Sequence, residues 1–379
     1  MPSLRTDSLH LTVFECSFHL IASQTIQYND LAEGVEGISR EELLRDNIGQ
    51  LVSLELRNSS HQPSDRAAMH YVHRFVVFNT HLFWNYRYQY TRFRQTLYAL
   101  EQIEAFERLT SDLATHESPA ATTEEADEAL AVSAVASHVV MCGDYNSCPD
   151  TLTYRLLTSR RERHELDTSL LLPPSDHYDH FSHWVVPPTD EQRASHAAQN
   201  ADTPTQQISE QENRERLELV ASIMPRWHEV PLLQSCYERA NYQALAPTDP
   251  ADCCTASLKS ASLWSREPLF TNYRCGWCGV LDYIFLPCLQ RSDEQHELAD
   301  ADAASEIECR QRARWRPRAS ATASTAPSVT SVLELRQVLR LPDVKELRPF
   351  LTLPSDQHGS DHVPVACKFE LRAVPSVDH

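Results

Sequence analysis

Four apolar, β-branched runs in this chain each meet a His, Asp or Asn at one end, and that pattern narrows the fold more than anything else. They are Arg74 to His81 (RFVVFNTH), Ser137 to Asn146 (SHVVMCGDYN), Gly279 to Pro287 (GVLDYIFLP), and Asp361-His362 ahead of VPVACKFEL. Short apolar runs bounded by polar residues or Gly read as buried strands. Ile48 to Leu56 (IGQLVSLEL) alternates apolar and polar residues as a further strand. Between them, Phe93, Leu97, Leu100 and Phe106 have helical spacing within Tyr88 to Leu109, the face of a core-packing helix. After Gly143-Asp144, Pro149-Asp150 opens a short helix over Leu152 to Leu157 with Asp150 as its N-cap. Strands alternating with helices predict an α/β protein, and strand ends are where such a sheet exposes functional side chains.

Those ends supply His81 and His362, Asp144, Asp282 and Asp361, and Asn79 and Asn146. This set suits a divalent cation, a water and a phosphodiester. Hydrolysis there needs an activated water, neutralised phosphorane charge and a stabilised leaving oxygen. Asp144 can orient or deprotonate the water, or ligate a metal. Asn146, two residues on, can hold water or phosphate without adding negative charge. His362 can donate to the phosphate, with Asp282 fixing its tautomer. Mg²⁺ favours a few carboxylates plus water and substrate oxygens, which matches scattered acids.

At 379 residues the chain can bury a large core, and its apolar content of 41% is that of a soluble globular protein. No apolar stretch reaches the ~20 residues that span a bilayer. Met1 to Leu20 is interrupted by His10 and Glu15 and does not read as a signal peptide, so the expected compartment is the cytoplasm, with nucleus and mitochondrion as alternatives. Eleven scattered cysteines argue against a secreted disulfide framework, and Cys275-Gly-Trp-Cys278 lacks a second pair for zinc, so both read as residues flanking a strand. A net charge of −19 argues against broad electrostatic binding of nucleic acid. The acid is uneven, however: Asp112 to Glu128 holds six carboxylates and no Lys or Arg, whereas Arg87, Arg92 and Arg94 follow His81 and allow a local basic groove. Residues 114–130, 187–211 and 290–330 have the composition of disordered surface insertions in a single domain spanning 1–379; the Arg-rich Arg310 to Arg318 reads as a solvated loop.

Taken together, these segments resemble the endonuclease–exonuclease–phosphatase superfamily. Within it, the likeness is to the branch of carbon-catabolite-repressor-type deadenylases, nocturnin, Angel proteins and 2′-phosphodiesterase. The residues that carry it are Arg45-Asp46-Asn47-Ile48, Asn79-Thr80-His81-Leu82-Phe83-Trp84, Gly143-Asp144-Tyr145-Asn146-Ser147-Cys148-Pro149, Pro231 to Tyr237 (PLLQSCY), Phe270-Thr271-Asn272-Tyr273, Asp282-Tyr283-Ile284-Phe285 and Ser360-Asp361-His362-Val363-Pro364. The resemblance implies a four-layer α/β sandwich with two central mixed sheets, of the DNase I-like kind. It also implies Mg²⁺-dependent (Mn²⁺ as substitute) 3′–5′ hydrolysis of RNA, commonly of poly(A) tails, with mRNA-decay complex subunits as partners. By the same likeness His81 and His362 face phosphate, Asp144, Asn146 and Asp361 lie at the metal, and Asp282 partners His362. Asn79, Phe83, Trp84, Tyr145 and Asn272 would contact substrate, the aromatics by stacking on a base or by packing beneath the site.

One departure stands out. The family pattern opens with a strand, a helix, and a strand ending in a Gln-Glu pair whose Glu is the principal Mg²⁺ ligand. Here LTVFECSFHLIA follows Met1 almost at once, and Glu15, Glu33 and Glu36 lack that context. The chain is therefore expected to lack the first β-α-β unit, as a fragment of a longer active enzyme in preference to a degenerate member. Two other functions compete: a catalytically inert scaffold or binding protein, and a family hydrolase acting on DNA or on a phospholipid or inositol headgroup.

Overall fold

The computed structural model describes residues 17–57, 71–86, 88–116, 134–159, 163–165, 171, 190, 210–241, 267–268, 270–274, 277–288, 329–342, 353–354 and 359–375. Its centre is one mixed sheet of six strands. They are β1 (Phe18–Gln27), β2 (Ile48–Leu56), β3 (Tyr71–His81), β4 (Ala134–Asp144), β5 (Leu233–Ser235) and β8 (Asp282–Pro287), in the order β1-β2-β3-β4-β8-β5. Two short strands, β6 (Asn272–Arg274) and β7 (Trp277–Gly279), form a hairpin. β9 (Val329–Val338) and β10 (Cys367–Pro375) form an antiparallel ribbon, which approaches β4. The α/β class read from the sequence is the one observed; where two mixed central sheets were expected, the described residues form one six-stranded mixed sheet and, beside it, a two-stranded antiparallel ribbon.

Helix α1 (Gly37–Leu43) precedes β2, and α2 (Gln89–His116) links β3 to β4. β3 and β4 are the one parallel pair among the described strands. A parallel pair needs a long crossover, and α2 supplies it. The helix spans more than its predicted range, and Phe93, Leu97, Leu100, Ile103 and Phe106 are buried along one face. They pack on Val76 and Phe78 of β3 and on Val139 and Met141 of β4. Alternate residues on the strands point the same way, so one face of the sheet is committed to this helix. Helices α3 (Leu152–Thr158) and α4 (Glu210–Glu229) complete the core. Trp227 of α4 stacks on Phe93 with centroids 5.3 Å apart. A second, smaller core of Tyr237, Phe270, Tyr273, Cys278, Leu341, Leu353 and Val363 lies beneath the segment that carries His362.

Several sequence expectations shift in detail. The cap of α3 is Thr151, not Asp150; the Thr151 hydroxyl turns back to the Cys148 carbonyl at 2.7 Å. Cys278 is a buried free thiol in β7, and Cys275 lies outside the described residues. The proposed insertions are narrower than their compositions suggest. Residues 114–116 end α2, 210–211 open α4 and 329–330 open β9. Apart from Asp190, the remaining positions of those three segments lie outside the described residues. No helix among the described residues is long and apolar enough to cross a membrane.

Candidate active site

Strand register assembles the site. His81 is the last residue of β3 and pairs with Asp144, the last residue of parallel β4. Asp144 in turn pairs with Asp282, the first residue of antiparallel β8. Paired residues share a face, so three functional side chains stand in one row across three strands. Asn79 and Cys142 lie one step down the same face, with the Cys142 thiol 3.9 Å from Asn79 Oδ1.

The row depends on a close approach of backbones. Gly143 has φ +131°, and a Cβ there would sit 2.0 Å from the Thr80 carbonyl oxygen. Only Gly tolerates both demands. The turn that follows places Asn146 at φ +46°, in the left-handed region that Asn accepts more readily than most residues. Its backbone N–H donates to Asp144 Oδ1 at 2.8 Å and its side-chain Nδ2 to the Leu82 carbonyl at 2.8 Å. Leu82 N–H donates to the Asp144 carbonyl at 2.9 Å, which closes the link between the ends of β3 and β4.

His362 enters from a loop, not from a strand end of the large sheet. Its Nδ1 lies 2.8 Å from Asp282 Oδ2, and its Nε2 3.7 Å from Asp144 Oδ2. His81 Nε2 is 3.5 Å from the same Asp144 oxygen. Two imidazoles therefore converge on one carboxylate oxygen. Thr271 holds the loop to the strand. Its Oγ1 accepts the N–H groups of Leu281 and Asp282 at 2.9 and 3.0 Å, and its carbonyl accepts Val363 N–H at 2.8 Å.

Burial raises the Asp144 carboxyl to about 8; the Asp282 charge adds to this, and the His362 charge and the Asn146 N–H oppose it. For His362 burial disfavours the charged ring. The Asp282 hydrogen bond and the charges of Asp282, Asp144 and Asp361 outweigh it and raise the imidazole to about 9. A buried carboxyl held above neutrality beside further acids marks a place short of positive charge. A divalent cation is one way to supply it. Ligand atoms of Asp144, Asp282 and His362 lie within 4.8 Å of one another, the one cluster of this kind among the described residues. Asp144 and Asp282 offer carboxylate oxygens, the donor type that suits Mg²⁺. Asn146 Oδ1 is a further oxygen on the same turn.

The structure brings His81, Asp144, Asn146, Asp282 and His362 together, with Asp361 adjacent. It places other expected residues differently. Tyr145 is only 2% exposed and packs edge-on against Tyr283 and Phe285 beneath the site, so the packing role applies. Asn272 is buried in β6, where its backbone bridges to His362. Phe83 is half-buried and Trp84 is 60% exposed. Of the three arginines that allowed a basic groove, Arg92 is turned inward. Arg92 is buried and donates to the Phe83, Asn85 and Tyr86 carbonyls, while Arg94 donates to the Tyr90 hydroxyl; Arg87 lies outside the described residues. Glu33 and Glu36 are exposed, and Glu15 lies outside the described residues. Sequence reasoning did not single out Thr271, Asn47 or Gln95. Asn47 Nδ2 donates to the His81 carbonyl at 3.1 Å, and Gln95 joins Asn47 Oδ1 to Phe83 N–H at 3.2 and 3.0 Å. Thr271 and Asn47 lie inside motifs already noted, so the available signal was a buried polar residue within a candidate site motif.

No family model matches the chain. By sequence it is similar to RNA exonuclease NGL2 of Saccharomyces cerevisiae, 22% identical over 366 residues that make up 94% of this chain and 60% of NGL2. The chain thus spans less than two thirds of that relative. By structure it is similar to ANGEL2, a 2′,3′-cyclic phosphatase, crystallised with adenosine-2′,3′-vanadate: TM-score 0.42, 17% identity, 94% of this chain and 68% of that one. It is also similar to the human Nocturnin catalytic domain with bound sulfate, with TM-score 0.36, 13% identity, and 94% and 62% of the two chains covered.

Proposed function

We propose that this site hydrolyses phosphodiester bonds in RNA, removing nucleotides from the 3′ end, A-tailed RNA included. The observation that carries the reading is the row His81–Asp144–Asp282 with His362 closed onto Asp282. NGL2, similar along most of this chain, is named as an RNA exonuclease, which favours RNA over other phosphodiesters. Asp144, Asn146 and Asp361 would hold Mg²⁺ or Mn²⁺. Held there, a cation would supply Lewis acidity to the phosphate and charge stabilisation to the leaving oxygen.

The chain's own residues do the rest. Asp282 holds the His362 ring so that Nε2 faces Asp144 and the space between the two histidines. A His362 ring charged to about pH 9 presents a positive donor to a non-bridging phosphate oxygen at neutral pH. His81, 3.5 Å from the same Asp144 oxygen, offers a second donor. Asp144 accepts from the attacking water and fixes it in line with phosphorus. Such an activity belongs to cytoplasmic mRNA turnover, alone or with decay-complex subunits.

The test is cleavage of 5′-labelled A-tailed RNA with Mg²⁺, beside abasic duplex DNA and sphingomyelin, with a chelator and Asp144→Ala as controls. A one-nucleotide ladder abolished by both controls supports the proposal. Asp144→Ala and His362→Ala each lower the rate at least tenfold, ~1.4 kcal/mol of transition-state stabilisation. A clear preference for DNA or lipid overturns it. Absence of any ladder from folded protein favours the inert binding protein.

A further inference from the structure

Two cysteines that the hydrolytic chemistry does not use meet between the large sheet and the ribbon. Cys236 opens the short helix α5 (Cys236–Arg239), directly after β5, and Cys367 opens β10. They are 131 residues apart in the chain, yet the Cys236 thiol shares a hydrogen bond with the Cys367 thiol. The residues beside them hold this contact. The Tyr237 hydroxyl accepts Ala366 N–H at 3.2 Å and donates to the Leu339 carbonyl at 3.2 Å, and Leu339 N–H donates to the Ala366 carbonyl at 2.8 Å. Cys367 itself pairs with Val338 across the ribbon. The two sulfur atoms thus lie side by side, the arrangement from which a disulfide starts.

The pair is asymmetric. Cys236 is fully buried, whereas Cys367 is half-buried and reachable from solvent. The hydrogen bond to Cys367, and then burial, raise the Cys236 thiol far above its usual range. Cys367 is therefore the sulfur that a small oxidant meets first. Cys148 and Cys278, by contrast, are both buried, and burial raises the Cys278 thiol, so neither offers an oxidant an exposed sulfur. A lone half-exposed thiol would mean little. Here a second thiol already sits beside the reachable one, as in redox sensors that carry a resolving cysteine.

We propose that Cys236 and Cys367 form a peroxide-sensitive dithiol site whose disulfide staples the His362 arm to the large sheet. The Cys367 sulfur attacks hydrogen peroxide; an S–O bond forms, the O–O bond breaks, and one water leaves. Cys236 then attacks the sulfenic sulfur; the S–S bond forms, the S–O bond breaks, and the Cys236 proton leaves with the hydroxyl as a second water. The peroxide takes both electrons. Cys367 is five residues after His362, and α5 follows β5, which pairs with β8, the strand of Asp282. The bridge adds a covalent link between the loop of one partner in the His362–Asp282 contact and the sheet of the other. Where glutathione keeps thiols reduced, such a bridge closes under oxidant load and reopens, so it is a switch and not a fixed framework. The inference does not depend on which ester the site cleaves.

The full chain is reduced, treated with hydrogen peroxide, alkylated in denaturant and mapped by peptide mass spectrometry. A linked peptide pair joining Cys236 to Cys367 is expected, reversed by dithiothreitol, with Cys148 and Cys278 still in the thiol form. The oxidised chain melts about 5 °C or more above the reduced one, because the bridge closes a long loop of the unfolded chain. Cys367→Ser, at the half-exposed position, loses both the link and the shift. Cys236→Ala stops at the Cys367 sulfenic acid, which dimedone then labels; Cys236→Ser replaces it if Ala does not fold. Peroxide that leaves both sulfurs alkylated, or links either to another cysteine instead, overturns the site. So does a bridge that leaves the melting temperature unchanged or lowers it.

Discussion

The two histidines of the site reach the same carboxylate oxygen by different means. His81 lies 3.5 Å from Asp144 Oδ2 because its strand pairs residue for residue with β4, and that ladder sits on the larger core. His362 lies 3.7 Å from the same atom because its own ring is tethered to Asp282, on a loop above the smaller core. The first is positioned by backbone, the second by side chain. A ladder cannot shift by one residue without turning every side chain to the other face, so it fixes His81 tightly. A single charged hydrogen bond fixes His362 only while both partners keep their protons in the right places. One histidine's backbone is therefore held by the sheet, whereas the other's ring depends on a titrating partner.

The strand-held arm breaks most severely at Gly143. Gly143→Ala combines a left-handed φ with a Cβ driven into the Thr80 carbonyl, and is expected to cost about 3 kcal/mol or more, read by urea or thermal unfolding. Parent-like stability would mean that β3 and β4 do not approach as described. The side-chain-held arm breaks at Asp282. In chelator, Asp282→Asn lowers the His362 pKa from about 9 toward the ordinary 6.5, read by NMR titration of the ring. Because the folded pKa is raised, His362 contributes its full stability below about 6.5 and loses it as pH rises through about 9. The substitution flattens that slope in the same window; an unchanged slope would deny Asp282 its role. Smallest is Thr271→Val, which leaves the Leu281 and Asp282 N–H groups without their acceptor and costs ~1–2 kcal/mol. It sharpens the contrast if His362 titration shifts while the His81 resonances stay in place.

Much of the strand-held half was legible in the sequence. Apolar runs ending at His81 and Asp144 disclose both the strands and the ends that matter, since buried strands must be apolar and functional groups must not be. The pairing of Asp144 with Asp282 was not legible, because register is a relation between strands 138 residues apart in the chain. For the same reason Tyr145 could be read as a base stacker: its neighbours Tyr283 and Phe285 come from that distant strand. Arg92 misled in the opposite direction. Sequence shows its charge, whereas its function is to satisfy three loop carbonyls, which only the folded loop reveals. Thr271 is silent in sequence, since a hydroxyl that accepts two backbone N–H groups looks like any other threonine.

The parallel pairing of β3 and β4 has a practical corollary. α2 carries the chain from the His81 end of one strand back toward the start of the next, so His116 and Ala134, which flank residues 117–133, join the fold at the rear of the sheet. An 11-residue strand puts that junction on the order of 30 Å from Asp144. The attachment points of that segment therefore lie far from the candidate site. A fluorophore, affinity tag or protease site placed between those two residues would report on the whole molecule as a silent handle.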